Sequence, residues 1–213
     1  MKGYFFLIAM LFCSFFLNAQ NAMPASDIPD TILFNNGRYL VTHIVDTVGF
    51  SIEVSKPKGH KHKKKEILKE NIFSIKLGAT GKESVLYIYD TLIGNDFTLE
   101  EARRFIAGEQ DARRGYHAFG TSAAAFAIGG VSGAIGTFYA LAPPFAFAGF
   151  MSYNYVRIRH KSVANMENVH HDAYLMGYSL VARQKRTLRA MLWGGIGLAA
   201  GTVVHYAFHF TNL

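Results

Sequence analysis

Two histidine pairs have a spacing that could support metal chemistry. His60 and His62 alternate within "KPKGHKHKKKEILKEN", so an extended backbone turns both imidazoles to one side. His205 and His209 are separated by one helical turn, a spacing that could ligate a metal or a haem. Neither pair has an evident third ligand nearby. We therefore keep both as weak metal candidates, and we interpret His205 and His209 first as anchors at a membrane surface.

A third histidine group lies in a polar part of the chain. His160, Glu167 and the triplet "HHD" at 170–172 could form a metal cluster or an acid–base pair, although paired histidines in a basic loop are usually solvated. The chain lacks Gly-x-Ser-x-Gly, phosphate-loop, His-Glu-x-x-His and Cys-x-x-Cys patterns. We expect no catalytic residue, no cofactor and no enzyme of an ordinary type.

The lysines around His60 suggest contact with an anionic surface. Charge density alone favours anionic lipid or polysaccharide. Nucleic acid is not expected, since the stretch has no interleaved aromatic residues. We expect this stretch to connect the third and fourth strands, with a short helical turn in its C-terminal part, and a solvated loop without a ligand remains the alternative. The candidate polyanion-binding residues are Lys58, Lys61, Lys63, Lys64 and Lys65.

The first residues have the pattern of a secretory signal. Lys2 precedes an apolar core, and "LNA" ends at Ala19 with the spacing of a signal-peptidase site. We predict a cleaved signal at 1–19, with an uncleaved anchor as the alternative, and a linker at 20–29. Cleavage would remove Cys13, the one cysteine, so no disulfide is expected. The net charge of the full chain, +7, favours contact of an exported protein with anionic envelope components.

Residues 30–95 have the pattern of a small β domain. Runs rich in β-branched and aromatic residues predict strands at 31–34, 38–45, 49–55, 71–77 and 84–90. In the third strand, Phe50, Ile52 and Val54 should share the apolar face, and in the fourth strand Phe73, Ile75 and Leu77 should face inward. Five short strands bury little core unless the sheet curls, so we predict an SH3-like or Sm-like barrel.

The second half of the chain has the pattern of membrane helices. "TLEE" is a capping box that predicts a juxtamembrane helix at 98–116. No Asp, Glu, Lys or Arg occurs between Gly115 and Val156 or between Ala190 and Phe210. We predict membrane spans at 117–142 and 190–210. An interfacial or re-entrant segment is expected at 143–160, after a break at Pro143 and Pro144, and a basic polar stretch at 161–189.

Glycines recur at helical spacing in both predicted spans. Small residues let helix backbones approach closely in lipid, so we expect a packed helix pair, with a homo-oligomer as a second reading. A soluble, buried Gly/Ala-rich pair is the alternative to membrane spans. The predicted packing residues are Gly129, Gly133, Gly136, Gly194, Gly197 and Gly201.

Charge predicts a topology. An exported β domain makes the first span run inward, and residues 157–189, with seven basic and two acidic residues, then lie in the cytoplasm. This arrangement satisfies the positive-inside rule. We therefore favour two spans in the inner membrane of a bacterial envelope, with the β domain in the periplasm. A third crossing by residues 145–156 is the alternative; it would place the seven basic residues outside, against the rule.

Two short motifs carry a resemblance. "GEQDARRGY" (108–116) has the form Gly-x-x-Asp-Ala-x-x-x-Tyr before a Gly/Ala-rich span, and "DAYLMGYSLVARQKR" (172–186) precedes the second span. With the "LNAQ" signal end, the chain resembles a set of uncharacterised exported membrane proteins of Bacteroidota. The resemblance implies an architecture and an envelope location. From the residues themselves, Asp111 and Arg114 should form an ion pair near the membrane, with Tyr116 at the headgroups.

These patterns favour a non-enzymatic membrane component of the envelope. Its β domain would bind an envelope protein or an anionic glycopolymer, and its helices would contact membrane lipid. A subunit of a transport or channel assembly built on the Gly-rich helices is the first alternative. A histidine-based metal binder is the second.

Overall fold

The chain forms two compact units, one of β-strands and one of helices. The structure is a computed structural model and describes residues 28–47, 49–58, 61–153 and 155–210. The predicted signal at 1–19 and most of the linker lie outside these residues. The β unit contains residues 39–87 and the described residues before Asn35, and the helical unit contains 35–38 and 88–210.

The β unit is a single antiparallel sheet. Its strands are β1 (Asp30–Phe34), β2 (Tyr39–Asp46), β3 (Ser51–Lys58), β4 (Lys61–Leu68), β5 (Ile72–Lys76) and β6 (Glu83–Val85). They are ordered β4-β3-β2-β1-β5-β6, so β4 and β6 are edges and the sheet is open. The predicted all-β domain is present, but the SH3-like or Sm-like barrel is not confirmed.

An isoleucine-rich cluster forms the core of the sheet. The buried members are Ile32, Ile52, Val54, Ile67, Ile72 and Ile75. Two residues expected on inward faces are not there: Phe50 is 91% exposed and Leu77 is 42% exposed. Phe50 lies in the turn before β3, next to Gly49 at φ +73°, so strand alternation does not reach it.

The lysine-rich stretch is the largest difference from prediction in the sheet. We expected a connection between strands, with a short helical turn near its end. Instead, Lys61–Leu68 is strand β4, which pairs with β3 from Ser51↔Leu68 to Lys58↔Lys61, and only Lys69–Asn71 forms a 3₁₀ turn. The alternating segment "SIEVS" supplies a partner edge, and this pairing overrides the low strand preference of lysine.

Four helices build the second unit: α1 (Leu99–Gly115), α2 (Phe119–Ile135), α3 (Ala142–Tyr153) and α4 (Asp172–Phe210). The predicted capping box opens α1. The Thr98 hydroxyl accepts from the Glu101 backbone N–H, and the Thr98 backbone N–H donates to the Glu101 carboxylate at 2.9 Å.

The first predicted span, 117–142, is shorter than expected. Helix α2 ends at Ile135 because Gly136 adopts the left-handed conformation at φ +70°, a common helix stop. Pro143 and Pro144 then lie in the first turn of α3, where a missing N–H costs no hydrogen bond. The prolines begin a helix here, and glycine ends one.

Helix α4 contains most of the predicted polar stretch at 161–189 as well as the predicted span at 190–210. Its segment Asp172–Phe208 is long and apolar enough to cross a membrane. Of its most apolar 18 residues, 22% are buried. Helices α1 and α2, bent by 60° at their junction, pass the same test only when counted as one span. These lengths refer to the described residues.

Candidate functional site

The two motifs that carry the resemblance meet at the contact between α1 and α4. A methyl group on Gly108 would overlap the Tyr174 carbonyl oxygen, and one on Gly177 would overlap the Phe105 carbonyl oxygen. The glycines therefore let the two helix backbones touch. This contact holds a set of buried polar side chains.

Asp111 is the centre of that set. It is 4% exposed and accepts hydrogen bonds from the Tyr174 hydroxyl at 2.8 Å, the Ala164 backbone N–H at 2.9 Å and Arg114 at 3.0 Å. The ion pair with Arg114 that the spacing predicted is present. Because its oxygens are held by three donors, Asp111 ties α1 to α4 and to the segment before α4.

Two tyrosines of α4 extend this polar contact. The Tyr178 hydroxyl lies 2.6 Å from the Ser162 hydroxyl, and its ring meets half-buried Tyr116 edge-on. Burial is the main cause that raises the pKa of Tyr178, and burial followed by the hydrogen bond to Asp111 raises the pKa of Tyr174 strongly. Both phenols therefore stay neutral hydrogen-bonding groups at physiological pH.

Two basic side chains of α4 cap the C-terminal ends of neighbouring helices by donating hydrogen bonds to their carbonyl oxygens. Lys185 donates to the carbonyl oxygens of Ala112 and Arg113 at the end of α1. Buried Arg186 donates to Met151 at 2.8 Å and to Tyr155 at 3.3 Å, at the end of α3. Positive groups satisfy terminal carbonyls and complement the helix dipole. Burial, then Arg189 and Arg113, lower the pKa of Lys185.

Sequence reasoning did not find these two roles. It placed both cations in a polar stretch and used only their charge. The signal that was available is the basic run "RQKR", which begins six positions after Gly177.

The glycines of α2 and α4 form a second close helix contact in the helical unit. Added methyl groups would overlap backbone carbonyl oxygens of the facing helix at Gly129, Gly133, Gly197 and Gly201. Gly136 faces the His205 imidazole, and Gly194 faces the Pro144 ring. All six residues predicted for packing therefore lie at helix contacts within the chain.

The order of these contacts gives the direction of each helix. Gly129 meets Gly194, Gly133 meets Leu198 and Gly136 meets His205, so α2 and α4 run parallel. Helix α3 runs the other way, since Pro144 meets Gly194 whereas Met151 meets Arg186. We call residues 119–153 the charge-free hairpin, because α2 leaves one end of the unit and α3 returns to it.

This arrangement corrects the favoured topology. Two spans with a cytoplasmic 157–189 stretch require α2 and α4 to be antiparallel, and they are parallel. The predicted interfacial segment at 143–160 contains α3, which returns beside α4. Hydropathy measures the length of a span and not its direction, so the sequence did not reveal this.

The histidines are scattered in the part of the chain that is described. His205 Nδ1 lies 2.9 Å from the Ala134 carbonyl oxygen, and His171 lies 3.4 Å from Arg104. His62 belongs to β4, His60 lies outside the described residues, and the His209 side chain is not described. His160 and His170 are exposed. Within the described ranges, no group of three His, Cys, Asp or Glu residues is arranged to hold a metal ion.

The candidate polyanion residues form one end of the β3–β4 hairpin. The register places Lys56 opposite Lys63 and Lys58 opposite Lys61. Lys64 forms an ion pair with Glu53 at 3.0 Å, and Lys65 is exposed opposite Val54. The register therefore places lysine positions of both strands at one end of the hairpin, which concentrates positive charge there.

No protein-family model, curated protein or solved structure matches the chain.

Proposed function

We propose that the chain is a non-enzymatic membrane component of a bacterial cell envelope. The helical unit inserts into the bilayer, and the β unit presents the lysine hairpin to an anionic polymer. The observation that supports insertion is the combination of tight internal packing with an apolar outer surface. Glycines bring the backbones together, and large apolar side chains remain outside.

The exposed apolar residues cover the charge-free hairpin and the second half of α4. They include Phe119, Val131, Ile135, Phe138, Phe145, Phe150, Leu192, Ile196, Val203 and Phe208. No Asp, Glu, Lys or Arg interrupts residues 119–153 or 190–210. A patch of this extent is unfavourable in water and fits a hydrocarbon environment, where helices associate through small residues.

The two ends of the helical unit differ in charge, which sets the direction of insertion. Residues 136–142 and 206–210, at the far end, contain no Asp, Glu, Lys or Arg. The opposite end, which we call the basic end, carries Arg157, Arg159, Lys185, Arg186 and Arg189. The basic end would stay at the level of anionic headgroups, where exposed Arg157 and Arg159 can meet them, while the uncharged end enters the bilayer.

Membrane extraction tests the insertion. The full chain, expressed in bacteria, should remain in the membrane pellet after washes with high salt and alkaline carbonate and should enter solution only with detergent. A protein held by surface charge alone would be released by salt. Release by carbonate without detergent would contradict insertion.

A matched charge comparison tests the lysine hairpin. Lys63→Gln with Lys65→Gln should lower the salt concentration that elutes the detergent-solubilised protein from an anionic polysaccharide column, because fewer counterions are displaced. Lys76→Gln with Lys82→Gln removes the same charge from β5 and the turn after it and should change elution less. Equal shifts for both pairs would mean that net charge alone governs binding.

A transport or channel subunit remains the second candidate, favoured by the glycine-lined contacts of α2 and α4. Those contacts are filled by facing backbone, so a conducting path would need helices of other copies. Leakage of a small fluorescent anion from vesicles containing the purified chain would support it.

A further inference from the structure

A cavity of about 290 Å³ opens at the basic end, where the charge-free hairpin begins and ends. Residues 115–118, Gly120 and Thr121 line one side, and residues from the connection after α3 line another. Tyr178 and Arg186 of α4 complete the lining. The volume is near the lower end for small-ligand sites, which run from roughly 300 to 1,000 Å³. All of these residues belong to the helical unit.

The charged side chains that line the cavity are all basic. Arg157, Arg159 and Arg186 line the cavity together with His117, and no Asp or Glu does. Within the described part of the chain, Arg157 and Arg159 take part in no ion pair. The nearby carboxylate of Asp111 is already held by Arg114, Tyr174 and the Ala164 N–H.

The start of α2 adds backbone donors to the same cavity. Ala118 occupies the N-cap position and gives no side-chain cap, and no acidic residue lies in the first turn. The first N–H groups of a helix lack partners within the helix, and the dipole makes this end positive. Gly120 and Thr121 of this turn line the cavity, so an anion there would serve as the missing cap.

We propose that this cavity binds a phosphate group. Guanidinium groups recognise phosphate oxygens by paired hydrogen bonds, and the helix start supplies further N–H donors. The phosphate belongs either to a phospholipid headgroup or to a small soluble phosphate. The lipid source rests on the proposed membrane insertion, since it needs the cavity at headgroup level; the soluble source does not.

The binding experiment uses the full chain in a zwitterionic detergent and in nanodiscs. Isothermal titration with inorganic phosphate measures the soluble source. Native mass spectrometry measures retention of phosphatidylglycerol from nanodiscs that also contain phosphatidylcholine. Saturable phosphate binding with no retained phosphatidylglycerol assigns a soluble ligand, and retained phosphatidylglycerol assigns a headgroup; both results support the site.

Matched variants separate the cavity from diffuse charge. Arg157→Gln with Arg159→Gln should weaken binding by about tenfold or more, because two charge-assisted contacts are lost. Lys161→Gln with Arg183→Gln removes the same charge outside the lining and should leave affinity within about twofold. Equal weakening by both pairs, or no binding of either phosphate probe by the wild-type chain, would overturn the proposal.

A third variant keeps the test valid if the arginine variants fold poorly. Thr121→Glu places a carboxylate in the first turn of α2, where it complements the dipole and occupies the cavity. It should retain or raise thermal stability while abolishing phosphate binding. Undiminished binding by a folded Thr121→Glu protein would also overturn the proposal. Carbonate extraction of each variant reports membrane insertion separately.

Discussion

At the scale of single residues, the buried carboxylate of Asp111 depends on Tyr174. Tyr174→Phe removes one donor and leaves the other two in place. Hydrogen bonds to charged groups contribute roughly 1.5–3 kcal/mol, and we expect a loss of that size in the free energy of unfolding. Urea unfolding in mild detergent measures it.

The control for this change is Tyr139→Phe, since Tyr139 is 82% exposed at the far end of the unit. It should alter the free energy of unfolding by less than about 0.5 kcal/mol. If the two variants unfold alike, the hydrogen bond from Tyr174 does not stabilise the helical unit.

Glu109 is a buried carboxyl whose charge opposes folding. It is 2% exposed, its Oε2 has no hydrogen-bond partner among the described residues, and Arg113 lies 3.9 Å from its other oxygen. Burial raises the pKa of Glu109 more than Arg113 and Arg38 lower it. A carboxyl with a raised folded pKa costs stability as the pH rises from the unfolded pKa through the folded pKa.

Glu109→Gln should therefore stabilise the chain at pH 8 and have little effect at about pH 3, where the carboxyl is protonated in both states. Urea unfolding at the two pH values measures this difference. Glu100→Gln, at a site where the side chain is 82% exposed, removes the same charge from the same helix and serves as the control. Destabilisation of Glu109→Gln at pH 8 would mean that the arginines outweigh burial.

At the scale of elements, the glycine contacts are sensitive to a single methyl group. Gly133→Ala would overlap the Leu198 carbonyl oxygen, so α2 and α4 must separate. Overpacking of this kind costs typically about 1–3 kcal/mol, and we expect a loss of that size in the free energy of unfolding. Thermal unfolding in detergent, followed by circular dichroism, measures the change.

Gly195→Ala is the matched control on α4. A methyl group there meets nothing within 4 Å, so it should stabilise the helix by about 0.4–1 kcal/mol by restricting the unfolded chain. Opposite signs for the two substitutions are the expected outcome. A neutral Gly133→Ala would show that the helices do not approach as closely as the structure has them.

The elements could be predicted where local chemistry decides them. The capping box fixed the start of α1, and alternation found β3. Prediction from local sequence was wrong where pairing with another element determines the structure. Strand β4 consists largely of lysines, and it is a strand because β3 pairs with it. Prediction from local sequence was also wrong at Gly136, which ends α2 before the prolines are reached. A single glycine inside a Gly-rich segment gives no signal that it is the one in the left-handed conformation.

At the scale of the whole molecule, the sequence located the apolar segments but not their directions. Span lengths follow from hydropathy, whereas the parallel course of α2 and α4 depends on α3 returning beside them. Each polar site residue depends on the same long-range contacts: Asp111 lies more than 50 residues from Ala164 and Tyr174, which hold it. The two motifs lie far apart in the sequence, and the fold brings them into contact.

Parallel helices make a definite prediction for topology. Single cysteines at Ala79 in the β unit, Lys161 at the basic end and Thr137 at the far end can be placed in a Cys13→Ser background. Among the described residues between Ala79 and the start of α2, no single helix is long and apolar enough to span a membrane. Helix α3 would then return to the side of the membrane on which α2 starts. Ala79 and Lys161 should therefore lie on the same side, opposite Thr137.

Labelling of intact cells and of lysed cells with a membrane-impermeant maleimide measures these positions. If the segment 1–19 exports the chain, positions 79 and 161 react in intact cells and position 137 does not. If the positive-inside rule governs, 79 and 161 react only after lysis, since the basic end is then cytoplasmic. Reaction of 79 without 161 in intact cells would contradict the parallel packing, because α2 would then cross without a returning α3.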